Sequence, residues 1–465
     1  MSSGRARLIA CILTALITIY PRLGWSQQTI PVTGLPVTGG QGFLWFSQFA
    51  NPSLLGSLYG TPTFPWTGIY PMFPGSLVPI VAEEGLRAGP LRLHPFMGVA
   101  EMYTDNVFRT NAKRSDFFTT LAPGIQTQLP FAGRHVFVAD YRTNIQLYHR
   151  TPSNNVQDQT ASGRFQFNLA RSMTLDLQGE HKLGHDPRGS ALDLQALEPN
   201  KWTTNSFTGR AAYEGGQVGG VLTVQTMRWT YLNNDQGSIR DRLSNYAGLT
   251  LSGKVFPNTS ALLDFSVRQE IYDENKNLDN AMYTISTGAR WDISGITSGE
   301  FLVGYQFLNF TRAQVNQSGP LLSLFRRDQD SADNLFFMGN LKWNPLPRLV
   351  VSIQPYRTIQ QTVVFGTSFF TATGVNLSAV HSLSERVDLT ANLGYENDDF
   401  STPAGAVAIT PPRTDNLKNV AIGLNYRAVK WIGTSLQYIF EDRSSSVEQF
   451  NYQANTAMIS VQAFF

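Results

Sequence analysis

From Leu91 to the C-terminus the chain alternates apolar and polar residues with period two, in segments set apart by turn-forming clusters. Phe137, Ala139, Tyr141, Thr143, Ile145 and Leu147 alternate with Val138, Asp140, Arg142, Asn144 and Gln146. Ala261, Leu263, Phe265, Val267 and Ile271 stand against Asp264, Ser266, Arg268 and Glu270, and Ala281, Tyr283, Ile285, Ala289 and Trp291 against Thr284, Ser286, Arg290 and Asp292. Successive side chains of a strand point to opposite faces, so each segment predicts a strand with one greasy and one polar face. Such segments lie near residues 91, 117, 135, 161, 173, 203, 220, 243, 261, 281, 299, 335, 349, 371, 387, 419, 432 and 452. Val218 to Tyr231 alternates poorly, and its pattern does not fix a facing.

The connections predict how these strands are arranged. Leu129 to His135, Ala170 to Met173, Pro257 to Ser260, Pro345 to Arg348 and Ala428 to Trp431 are tight, whereas the intervening Thr151 to Gln159, His181 to Thr203, Asn233 to Arg242, Thr311 to Asn334 and Asp398 to Asn416 are long and polar. A soluble sandwich has no reason to keep short and long connections in register, but an up-and-down barrel in a membrane does. The expected fold is all-β: a closed, transmembrane, antiparallel up-and-down β-barrel of about 16 to 18 strands, each long enough to cross lipid at a tilt. Closure would satisfy every backbone hydrogen bond without leaving an edge.

Both ends of the chain fit that reading. Ala457, Ile459, Val461, Ala463 and Phe465 form one apolar face that ends flush with the chain, an arrangement similar to the C-terminal assembly signal of Gram-negative outer-membrane barrels. At the other end, Arg5 and Arg7 precede the apolar run Leu8 to Tyr20 and the small residues around Ser26, which predicts a secretory signal over 1–26. The single cysteine, Cys11, falls inside it, so the mature chain is expected to carry no thiol and no disulfide. Residues 27–89 are crowded with proline and aromatics and hold no period. They read as a linker, as a periplasmic docking segment, or as a plug in which Trp45, Phe46, Trp66, Tyr70 and Phe73 restrict the lumen or stack on sugar rings. The barrel is expected over 90–465.

Only 15% of the 465 residues are charged and the net charge is +2, so no basic footprint points to nucleic acid. Mean hydropathy, −0.16, is far below that of a helical membrane protein, as expected when half of each strand faces a polar lumen. His181 and His185 lack the glutamate of a zinc-protease helix, and no Gly-x-Ser-x-Gly elbow is present. Asp273 to Asp279 spaces oxygen ligands like a calcium loop but lacks its glycine and its terminal bidentate glutamate, and Lys276 opposes a cation. No enzyme, metal or cofactor is expected. By parity, the candidate lumen-facing charges are Asp140, Arg142, Arg164, Arg210, Asp264, Arg268, Glu270, Arg290 and Asp292, joined by Asp176, Glu180, Arg228, Glu300 and Lys342. Their mixed sign argues against strong ion selectivity, and pairing across strands to close the lumen is an equal alternative.

The opening strand Gly89-Pro90-Leu91-Arg92-Leu93-His94-Pro95 leads to Tyr103-Thr104-Asp105-Asn106-Val107-Phe108-Arg109. It resembles the start of the outer-membrane family called putative beta-barrel porin 2, and Arg268 to Asn275 and Leu393 to Asp399 echo its tyrosine and acidic-asparagine pattern. The resemblance covers about 85 to 465. It implies an outer-membrane conduit for hydrophilic solute, with surface-polysaccharide export among the roles of such proteins, and carries no functional residue over. The competing expectation is a structural or docking protein with a closed lumen. Expected partners are outer-membrane lipid and lipopolysaccharide, the outer-membrane barrel assembly machinery, and a periplasmic export partner or a polysaccharide. If the C-terminal strand is the assembly signal, removing Phe465 or making Phe465→Asp should lower the amount of folded protein in isolated outer membranes, and unchanged levels would refute it.

Overall fold

The computed structural model describes residues 85–190, 197–293, 296–311, 329–362, 367–401 and 413–465, and the predicted signal segment and Trp45, Phe46, Trp66, Tyr70 and Phe73 lie outside them. A short β1, Leu86–Ala88, precedes eighteen long strands. They are β2 Leu91–Thr104, β3 Asp116–Phe131, β4 His135–Tyr148, β5 Val156–Ala170, β6 Met173–His185, β7 Lys201–Glu214, β8 Val218–Tyr231, β9 Arg242–Phe256 and β10 Thr259–Tyr272. The second half continues with β11 Asn280–Ile293, β12 Thr297–Phe310, β13 Ser331–Leu346, β14 Leu349–Gln361, β15 Phe369–Ser382, β16 Val387–Phe400, β17 Thr414–Val429, β18 Ile432–Ser445 and β19 Tyr452–Phe464.

Each long strand pairs antiparallel with the next, and β19 returns to pair with β2, from Thr456↔Thr104 to Phe464↔Phe96. The sheet is therefore a closed eighteen-stranded barrel. Its strands run 13 to 16 residues, against about 9 to 11 needed to cross hydrocarbon at a tilt, so their ends stand clear of the lipid. Connections at one end are tight, such as 132–134, 171–172, 257–258 and 347–348, and those at the other are long, such as 105–115, 186–200, 232–241 and 446–451. Below the last residue of β19 the edge of β2 is covered by β1, which pairs Leu86↔Leu93 and Ala88↔Leu91 across a turn at Gly89 and Pro90. Gly89 takes φ +62°, a left-handed value that favours glycine.

The barrel is inverted relative to a soluble protein. Val99, Phe117, Leu263, Phe265, Tyr283, Ile285, Tyr305, Phe307, Leu436 and Ile459 are exposed on the outside, while Asp140, Asp264, Glu270, Thr284, Ser286 and Gln306 are buried within. An apolar belt of this extent is stable only where the surroundings are apolar too. The poorly alternating β8 resolves into an inner face of Thr223, Met227, Trp229 and Tyr231 and an outer one of Val218, Leu222 and Val224. Arg228 thus belongs to the outer face, not the lumen; the pattern misled because near that end it is inverted, with apolar Met227, Trp229 and Tyr231 inside and polar Thr226, Arg228 and Thr230 outside.

Phe265→Arg or Ile285→Arg sets a charge against the belt and should cost about 2 to 4 kcal/mol near the bilayer midplane. Denaturant unfolding from lipid vesicles reads this loss directly, and wild-type stability would refute the facing.

Candidate functional site

The inner wall is built by cross-strand pairing of the polar parity. Asp176 on β6 stands opposite Arg210 on β7 and one step diagonal to Arg164 on β5, and it binds both, at 3.3 Å and 2.7 Å. Arg290 and Glu300 are direct partners across β11 and β12, 2.7 Å apart. Along single strands, Arg142 binds Asp140 at 2.6 Å and Lys182 binds Glu180 at 2.9 Å, because residues two apart share a face. Asp264 accepts the Thr250 hydroxyl at 2.7 Å, and Glu270 gathers Arg242 at 3.0 Å, the Ser244 hydroxyl at 2.8 Å and, more loosely, Arg268 at 3.9 Å. Asp292 is exposed two residues before the tight turn that follows β11. The wall is open to solvent in places: the Arg142 side chain is 50% exposed and that of Arg290 43%.

Toward the long connections the inner wall carries deeply buried charges. Asp415 is wholly buried, 2.5 Å from Arg413 and 3.5 Å from Arg443, and the Arg413 guanidinium lies over the rings of Phe400 and Phe450 at 4.5 and 3.6 Å. Asp398 faces Asp415 in register and is 0% exposed, and neither of its carboxyl oxygens makes a hydrogen bond; Tyr356 donates to the neighbouring Glu396. The connections fold inward over this layer. Arg109, from 105–115, pairs with Glu441 at 2.8 Å. A single turn, α1 (Gly237–Arg240), buries Ile239 and Arg240, and Arg240 binds Asp186 at 2.5 Å while covering the Tyr231 ring at 4.0 Å. At the rim, the bidentate bond from Arg228 holds the Asp273 carboxyl below its usual pKa. The buried pairs are held because breaking any one of them would strand a charge away from water.

Other predicted residues fall as follows. Ile459 and Val461 are exposed on the outer face, with Ala463 half-buried beyond them. Phe465 stacks on Trp431 at 6.0 Å, and its N–H donates to the Pro95 carbonyl at 3.0 Å, tying the chain end to β2. His181 and His185 are not brought together: one meets Asn205 and the other Asp158, each at 2.8 Å. Among the described residues no three His, Asp or Glu side chains converge as metal ligands. In the Asp273 to Asp279 segment the Asp279 carboxylate is taken by the Tyr272 N–H at 2.7 Å. Sequence reasoning missed Arg109, Asp186, Arg240, Glu396, Asp398, Arg413, Asp415 and Arg443. Glu396 and Asp398 carried a signal, since they share inward parity within the Leu393 to Asp399 pattern. Arg109, Asp186 and Arg240 carried none, because they sit in connections where no period applies.

Arg240→Ala leaves Asp186 buried without its cation. The loss of such a partner costs on the order of 3 to 5 kcal/mol and should be confined to the cap. Amide hydrogen exchange should show lost protection over 186–190 and 237–241 with strand amides unchanged; retained protection in the cap would contradict the pairing.

Comparison with known proteins places the chain. Its fold is similar to that of the "Copper transporter OprC", at 10% identity and a TM-score of 0.46 over 82% of each chain. It is also similar to OpdL of Pseudomonas aeruginosa, at 11% identity and 0.43 over 81% of this chain and 99% of that one. OccAB4 of Acinetobacter baumannii matches at 10% identity and 0.43 over 80% and 98%. No curated protein matches in sequence. The model of one family, described as putative beta-barrel porin 2, matches residues 79–465, and the chain, an outer-membrane β-barrel, belongs to that family.

Proposed function

We propose that this barrel is a conduit for hydrophilic solute across the outer membrane of a Gram-negative bacterium. The observation that carries the reading is the inner wall, where Arg142 and Arg290 project half-exposed guanidinium groups beside Asp140 and Glu300. Charges that served only to fill the interior would be as deeply buried as Asp415 and Arg413. Eighteen strands give a barrel wide enough for an aqueous lumen. Wall charges of both signs suit a polar, uncharged or mixed-charge cargo better than one ion class. Surface polysaccharide is the narrower form of this reading, supported by the roles the family resemblance implies, and the aromatic segment 27–89 would then offer stacking faces or a dock for a periplasmic partner.

The deeply buried charges toward the long connections favour a second reading, a structural or docking protein whose lumen stays shut. Planar-bilayer recording separates the two. Under the first, the protein conducts, and Arg290→Glu or Arg142→Glu shifts the cation-to-anion preference by about two-fold or more with assembly intact. Absence of conductance from correctly assembled protein at every voltage favours the closed-lumen reading.

A further inference from the structure

Strands β13 and β14 separate before they end. Their ladder runs from Leu346↔Leu349 to Phe337↔Arg357 and stops, although β13 continues to Ser331 and β14 to Gln361. On its other side β13 stays paired with β12 as far as Asn309↔Ser331. Above Arg357, β14 passes behind its neighbours into the interior while keeping its pairing with β15 to Gln361↔Phe369. There the Ile359 N–H and the Thr358 hydroxyl donate to Gln306 Oε1 on β12 at 3.0 and 3.1 Å. Gln361 donates to Asn280 on β11 and accepts from the Tyr272 hydroxyl on β10, both at 2.9 Å. Ile359, only 4% exposed, packs with Met282, Leu308 and Phe369.

The sequence of β14 suits a different seat. Extending the existing register one residue at a time would set Leu335 opposite Ile359, Asn334 opposite Gln360 and Asp333 opposite Gln361. Ile359 would then fall on the outer parity with Val351 and Ile353, beside Leu335, which is 43% exposed, while Thr358 and Gln360 would face the lumen. The edge that Ser331–Leu335 turns toward β14 has no strand partner among the described residues, yet it lies at belt height, since Leu335 is the partner of exposed Tyr305. Unmet backbone groups are costly there. Among the described residues, side chains cross the gap: Arg357 donates to Asn334 and Asn334 to Thr371, each at 3.1 Å. A hinge lies just below. Pro355 has no N–H to give, the ladder skips from Tyr356 to Ile353, and a Cβ at Gly339 opposite would crowd the proline ring at 3.0 Å.

We propose that the upper end of β14, Thr358–Gln361, is a gate with two seats. In the inner seat it obstructs the interior beside β10 to β12; zipped onto β13 it completes the wall and clears the lumen. What the gate controls rests on the conduit reading above, and the test keeps the two apart. Leu335→Cys with Ile359→Cys locks the zipped seat and Leu308→Cys with Ile359→Cys the inner one, in a chain whose single cysteine lies in the predicted signal.

Both disulfides should form on oxidation, with single-channel conductance about two-fold or more higher in the zipped lock and reversal by reductant. If the inner pair cross-links and the zipped pair never does, the proposal is overturned. Equal, non-zero conductance in both locks overturns the gate and leaves the conduit standing. Both disulfides without conductance in either would support the two seats and sink the conduit. The single variant Ile359→Cys guards against misfolding of the pairs: a bilayer-soluble maleimide should modify it, and failure to do so while Leu335→Cys reacts would also overturn the exchange.

Discussion

Inside hydrocarbon no water is available to satisfy a backbone N–H or C=O, and this constraint governs the molecule. Eighteen strands meet it by pairing sideways and by bringing β19 back to β2. Closure fixes the direction of every side chain, since residues two apart must share a face. The outer parity is then left to lipid and rich in Leu, Ile, Val, Phe and Tyr, and the inner parity collects most of the charge. Phe465 and β1 obey the same rule: they occupy the stretch of β2 edge that would otherwise stand open beneath β19.

Two kinds of interior follow. Around mid-height and toward the tight turns, pairs such as Arg290 with Glu300 keep one side in water and cost little to maintain. Toward the long connections, Arg413, Arg443 and Asp415 are withdrawn from water, where charges persist only when opposed. Asp398, in register with Asp415, makes no side-chain hydrogen bond among the described residues. The inward-folded connections exclude water from this layer of charges, so the cap and the buried charges depend on one another. Among the described residues the ladder of the wall breaks off between β13 and β14, where the side chains of Arg357 and Asn334 bridge the parted strands.

The sequence by itself determined the strands and their facing. All eighteen predicted segments are strands, the alternation of short and long connections recurs, and Asp264, Arg268 and Glu270 lie opposite the face of Leu263 and Phe265, because period-two patterning is a local property. It failed at Arg228, where β8 turns its apolar Met227, Trp229 and Tyr231 inward and its polar residues outward, so that a polar side chain no longer marks the lumen. Tertiary structure alone decided what the connections do, which charges meet and which strands part. Arg240 reaches Asp186 across 54 positions of chain and Tyr272 reaches Gln361 across 89. Such contacts are set by closure of the barrel and by the space left within it, and no local pattern records either.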